Sequence, residues 1–87
     1  AIDSIAVLPF ANASGDKESE FLSDGIAETL INNFTKIPEL KVTARSTAFR
    51  FRGREGEPQA IGRELDVRAV LTGKMLQRGD ALSIQVD

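Results

Sequence analysis

The 87-residue chain contains no cysteine and no histidine. Without cysteine there can be no disulfide, no zinc–thiolate site and no thiol nucleophile. Without histidine, the usual triad base, the commonest metal ligand and the usual switch near neutral pH are all missing. No stretch approaches the roughly 18 consecutive apolar residues of a membrane-spanning helix. No basic-then-apolar leader pattern opens the chain either. Neither charge sign dominates: 11 Lys and Arg stand against 13 Asp and Glu, a net charge of −2 that singles out no class of partner.

The remaining composition, 41% hydrophobic and 28% charged, is that of one soluble globular domain with a modest core. The charges are unevenly placed. Residues 1–40 carry a net −5 and residues 41–87 a net +3, enough polarity to orient the domain on a partner. The chain opens almost directly in a strand pattern and stops at Asp87 inside an alternating one. Both ends are those expected of a piece cut from a longer protein.

Ser4-Ile5-Ala6-Val7-Leu8, closed by Pro9, reads as a short strand buried on both faces. Residues 10–17 form a loop of small and turn-forming residues. From Leu22 a helical stripe follows through Ile26, Leu30, Phe34 and Ile37, widened by Ala27 and Ile31. Phe21 falls on the opposite side. That predicts a bend near Ser23-Asp24-Gly25, with a short turn before the main helix, which Pro38 ends. Residues 40–44 read as a second strand. Pro58 suits the first turn of a second helix that carries Ile61 and Leu65. Val67–Gln77 and Ala81–Asp87 are paired strands around Arg78-Gly79-Asp80. A two-residue Gly79-Asp80 turn sets Met75 opposite Ile84 and Gln77 opposite Leu82, a register that groups the apolar residues on one face. The order is β-α-β-α-β-β: an α/β fold bordering on α+β, a mixed sheet with two helices packed on it and parallel pairing at each strand-helix-strand step.

Three stretches invite a functional reading. Ser14-Gly15-Asp16 and Asp24-Gly25 lack the spacing of a phosphate loop or a dinucleotide fingerprint. Asp16, Glu18 and Glu20 alternate as in a calcium loop, but Phe21 stands where that loop needs glycine. Two successive helix entries account for them better: Ser14 or Asp16 accepts from free N–H groups, Glu18 and Glu20 oppose the positive helix end, and Asp24 begins the main helix. The second stretch, Arg45 to Arg54 with Phe49 and Phe51 interleaved, has the residue types of single-strand nucleic-acid surfaces. Its alternation fits an extended edge with Phe inward and Arg outward, and the acidic balance of the chain argues against nucleic acid. Arg78-Gly79-Asp80, the integrin tripeptide, lies where turn chemistry alone accounts for it.

Taken together, Ile5-Ala6-Val7-Leu8-Pro9-Phe10, Ser14-Gly15-Asp16, Asp24-Gly25, Ala44-Arg45-Ser46, Ile61-Gly62-Arg63-Glu64-Leu65 and Leu71-Thr72-Gly73 make a pattern over residues 4–87. It resembles the TolB-type amino-terminal domain in its TolB-like, or FlgO-like, form. Lys17 stands where that family often has Pro, and residues 54–57 fall in a region that varies widely. The resemblance implies an α/β domain of a bacterial multidomain signalling protein. It would sit beside a class III nucleotide cyclase, a winged-helix or a kinase domain, with tetratricopeptide repeats following, in the cytoplasm or the periplasm. It implies no catalytic residue, metal or cofactor. The expected role is regulatory, with flanking domains or another protomer as partners, no nucleic acid and no membrane insertion. The alternative is sensing of an anionic small molecule near the start of the first helix. Arg45, Ser46, Arg50, Arg52 and Asp24 are the candidate contact residues.

Overall fold

In the computed structural model, residues 2–12, 17–54, 56–75 and 82–86 are described. The elements are β1 (Ser4–Val7), β2 (Ala11–Asn12), α1 (Lys17–Phe34), β3 (Lys41–Val42) and α2 (Arg45–Ala48), which continues into a 3-10 turn (Phe49–Phe51). They are followed by α3 (Pro58–Leu65), β4 (Ala69–Met75) and β5 (Leu82–Val86). The expected α/β fold with a mixed sheet is present, with three helices rather than two.

β4 is the spine of the sheet. β1 pairs with it in parallel, Ile5 opposite Ala69 and Val7 opposite Leu71. β2 also pairs in parallel, Ala11 opposite Lys74, and β5 antiparallel. Leu71 faces both Val7 and Val86, and Met75 faces both Asn12 and Leu82. β1 and β2 therefore lie end to end on one side of β4, β5 lies on the other, and β3 borders β1 through the Ile5–Val42 pair. Between the two parallel segments, Leu8, Pro9 and Phe10 span only Thr72 and Gly73, so the strand bulges by one residue. Leu8 still donates its N–H to Leu71 O at 3.1 Å. Pro9, which has no N–H to offer, takes the extra place. The bulge lays the buried Phe10 ring across Gly73, where no side chain intervenes.

Alternation along β1 and β4 divides the core into two layers. Ile5, Val7, Phe10, Ala69 and Leu71 pack with Ala27 and Ile31 of α1. Leu8 and Val70 pack with Ala48 and Ile61 of α2 and α3. Both faces of the parallel strands are covered, which is why residues 5–8 read as a continuous apolar run. α3 begins with Pro58 and ends in a Schellman motif: Val67 N–H donates to Gly62 O (3.0 Å) and Asp66 N–H to Arg63 O (3.3 Å). Asp66 adopts a left-handed conformation there, with φ of 55°.

Five expectations need correction. The loop expected over residues 10–17 contains β2 at Ala11–Asn12, a strand made by pairing with β4 rather than by any local pattern, and Lys17 already belongs to α1. α1 runs unbroken from Lys17 to Phe34 with Asp24 in mid-helix, so there is no second helix entry at Asp24-Gly25. Phe21 lies off the core stripe because it is simply exposed, at 78%, and a helix tolerates one glycine for about 1 kcal/mol. The buried line of α1 runs through Ser23, Ala27 and Ile31, while Leu22 (60%) and Ile37 (47%) are exposed. Ser23 is accommodated because its hydroxyl donates to Glu20 O at 3.0 Å.

Residues 45–51 are helical, not an extended edge. An alternation of four residues is too short to tell the two apart. The β4–β5 register places Met75 opposite Leu82 and Gly73 opposite Ile84, two residues from the expected pairing. A shift of two preserves the parity of the strands, so the apolar pattern could not detect it. The Gly79-Asp80 turn and the Ser14-Asp16 helix entry lie outside the described residues.

Candidate functional site

The interleaved arginines and phenylalanines meet the acidic face of α1. Glu20, Asp24 and Glu28 recur every four residues, so they form one row along the helix. Ala44, with extended backbone, opens α2 and accepts N–H bonds from Thr47 and Ala48. The helical path then places Arg45, Phe49 and Arg52 on a common side. Arg52 Nη2 donates to Asp24 Oδ2 at 2.8 Å, and its Nη1 lies 3.2 Å from Glu20 Oε1. Arg45 Nε is 3.4 Å from Glu28 Oε2. The Phe49 ring sits between the two guanidiniums, 4.5 Å from that of Arg45 and 5.6 Å from that of Arg52. Phe49 also packs against both core layers. The cluster thus ties α1 on one face of the sheet to α2 on the other.

Of the five candidate residues, Asp24, Arg45 and Arg52 come together. They do so as partners of each other and of Glu20 and Glu28, rather than as an open anion cradle. Ser46 and Arg50 are exposed, and Arg50 forms no ion pair among the described residues. Glu20 and Glu28 were missed as members of the cluster. Their signal was the four-residue spacing with Asp24. Arg54 builds a second, separate pairing with Glu64 (2.8 Å) and Glu57 (3.7 Å), over the Phe51 ring.

An anion arriving at Arg45 or Arg52 must displace a carboxylate already in place. Each of these pairs is partly exposed and contributes at most about 1 kcal/mol, so displacement is within reach of a multiply charged ligand. Asp24 Oδ1 is buried without a hydrogen-bond partner, so half of this carboxylate has lost water without replacement. A cavity of about 300 Å³ lies beside it, lined by Lys17, Glu20, Phe21 and Asp24. Among the described residues no group of three or more acids is placed to hold a metal ion, and no helix is long and apolar enough to cross a membrane.

Comparison with known families is decisive at this point. Residues 1–87 match the family described as HilA/YgeH-like transcriptional regulator, second domain. The chain belongs to this family. The HilA/YgeH-like domain is also similar to a protein of Rhizobium meliloti (strain 1021) named "Putative adenylate cyclase 3", 41% identical over 81 residues. That match covers 93% of the chain but only 14% of the cyclase, so the domain corresponds to a small segment of that protein. Among solved structures, the domain resembles lipoprotein GNA1162 from Neisseria meningitidis, with a TM-score of 0.62 and 16% identity. The match covers 97% of the chain and 65% of the lipoprotein. At that identity the likeness is one of fold.

Proposed function

We propose that the chain is a non-catalytic regulatory or protein-interaction domain of the TolB-like, FlgO-like kind, within a bacterial signalling protein whose output is a nucleotide cyclase. The observation that carries this reading is the pairing of relatives. One family description is of a transcriptional regulator's second domain, and one relative is named as a cyclase. Two different outputs are associated with the same unit, so the unit's task is one that both need: contact with neighbouring domains or with another protomer. Tetratricopeptide repeats following the domain would be such neighbours, and no role for nucleic acid is assigned to this segment. Arg50 and Ser46, exposed beside the paired arginines, are the side chains this reading commits to a partner's acidic surface.

The test is titration of the chain against the flanking segments of its parent, with Arg50→Glu as the comparison. Binding that Arg50→Glu weakens is expected, and no affinity for any flanking segment or for a second copy of the chain refutes the reading. Sensing of an anionic ligand is the second possibility, and it rests on Arg45 and Arg52, whose partly exposed carboxylate partners such a ligand would displace. Thermal melts with phosphate, nucleotides and small organic acids test it. A ligand at a hundred times its dissociation constant adds about 2.7 kcal/mol of stability, and a panel without any shift removes those compounds.

A further inference from the structure

α1 has three faces, and two are occupied. One packs on the sheet through Ser23, Ala27 and Ile31, and the acidic row meets Arg45 and Arg52. The third carries Glu18, Leu22, Gly25, Thr29 and Asn32, and its line continues to Lys36 in the turn that closes the helix. All six of these residues are exposed. Their spacing is four, three, four, three and four, so they lie along one face of the helix. Phe21, at 78% exposure, flanks the stripe. With Leu22, Gly25, Ile26, Thr29 and Leu30 it lines a shallow, largely apolar groove of about 450 Å³.

From these observations we infer that α1 is a homodimer interface, with two copies of the chain packing their α1 helices antiparallel across a two-fold axis beside Ala27. The spacing of the stripe, though not its residue types, is symmetric about position 27, so each residue can meet its counterpart on the second copy and be met in return. Antiparallel pairing sets Leu22 opposite Asn32 of the second copy and Gly25 opposite Thr29. The small central pair lets the backbones approach. The Thr29 hydroxyl already donates to Gly25 O at 2.9 Å, so it enters the interface satisfied. The charges select the same arrangement. Glu18 and Lys36 stand at opposite ends of the stripe, and neither forms an ion pair within the chain among the described residues. Antiparallel packing brings each Glu18 to the Lys36 of the other copy, whereas parallel packing sets Glu18 against Glu18. One helix pair buries less than the standard interface of about 1,600 Å², so the dimer belongs to the small, transient class. This inference rests on the protomer contact named in the proposed function, and it stands even where no flanking segment binds.

Sedimentation velocity across a concentration series tests it. Self-association that Leu22→Glu abolishes is expected. Leu22 is exposed, so the variant keeps the circular dichroism spectrum of the parent chain. Glu18→Lys weakens the dimer several-fold, and Glu18→Lys with Lys36→Glu restores it. The chain has no cysteine of its own, so the register can be read directly. A mixture of Gly25→Cys and Thr29→Cys chains forms mixed disulfide dimers faster than either variant crosslinks alone. A chain that stays monomeric at every concentration overturns the inference. So does a dimer indifferent to Leu22→Glu, a double charge exchange that fails to restore association, or faster crosslinking of identical variants.

Discussion

Gly73→Ala places one methyl group where the structure has no room for it. A Cβ on residue 73 would lie 2.8 Å from Phe10 Cδ1 and 2.9 Å from Cε1 and Cγ. Ordinary carbon contacts begin at about 3.5 Å, so the ring or the strand must retreat by more than half an ångström. Phe10 is only 1% exposed and is held in the layer formed by Ile5, Val7, Ala27, Ile31, Ala69 and Leu71. Overpacking of this kind costs about 1–3 kcal/mol. Replacing a strand glycine returns about 0.5–1 kcal/mol of backbone entropy. The midpoints leave a net loss of about 1 kcal/mol, at most about 2.5 kcal/mol, which lowers the melting temperature by about 4–8 °C per kcal/mol in a domain of this size.

Urea unfolding followed by circular dichroism measures this loss, with an unchanged m value showing that the effect lies in stability. The cause is separable by a second substitution. Phe10→Leu destabilises the parent chain by loss of packing, but in the Gly73→Ala background it also relieves the clash. The double variant should lose about 1 kcal/mol less than the sum of the two single losses. A Gly73→Ala chain as stable as the parent, or more stable, refutes the close approach of Phe10 and with it the bulge at Pro9.

Three further substitutions probe other parts of the structure. Gly25→Ala, measured where the chain is monomeric, should stabilise by about 0.8–1 kcal/mol, because the residue is in mid-helix and nothing lies within 4 Å of the added Cβ; a loss in thermal melts contradicts a continuous α1. Asp66→Gly should gain about 0.5–1 kcal/mol by relieving the left-handed backbone at the end of α3, and a loss in chemical unfolding contradicts that conformation. Arg52→Ala should cost about 1 kcal/mol through its two carboxylate partners and its place over Phe49, less at high salt. A double-mutant cycle with Asp24→Ala isolates the pair, and a coupling of zero at low salt would reduce the cluster to a chance of geometry.

How far each residue was legible depended on the range of its interactions. Pro58 as a helix start, Ile61 and Leu65 on the helix that follows and the four apolar residues before Pro9 were read correctly because their signals are local: a fixed φ, a helical repeat and a run with no polar face. The cluster of Arg45, Arg52 and Asp24 was half legible. The residues were singled out, but their pairing depends on two segments whose partners lie 17 to 32 positions apart in the chain. The same distance kept Glu20 and Glu28 from view, although their spacing with Asp24 was readable. The β4–β5 register was not legible, because parity is all that an alternating pattern records.

The sequence by itself determined the longer elements in their order, the absence of cysteine and histidine chemistry, and the double burial of the first strand, but not β2 or α2. Each follows from residue type and periodicity without knowledge of neighbours. Only the tertiary structure decided which apolar residues of α1 reach the core and which stay outside. The apolar arc of that helix includes Leu22 and Ile37, which are exposed, while Ser23, Ala27 and Ile31 are buried, so the way the helix is set on the sheet, not the pattern, chooses Ser23 over Leu22. Only the fold gave Gly73 its reason, since the Phe10 ring that fills the missing side chain comes from a strand more than sixty residues earlier.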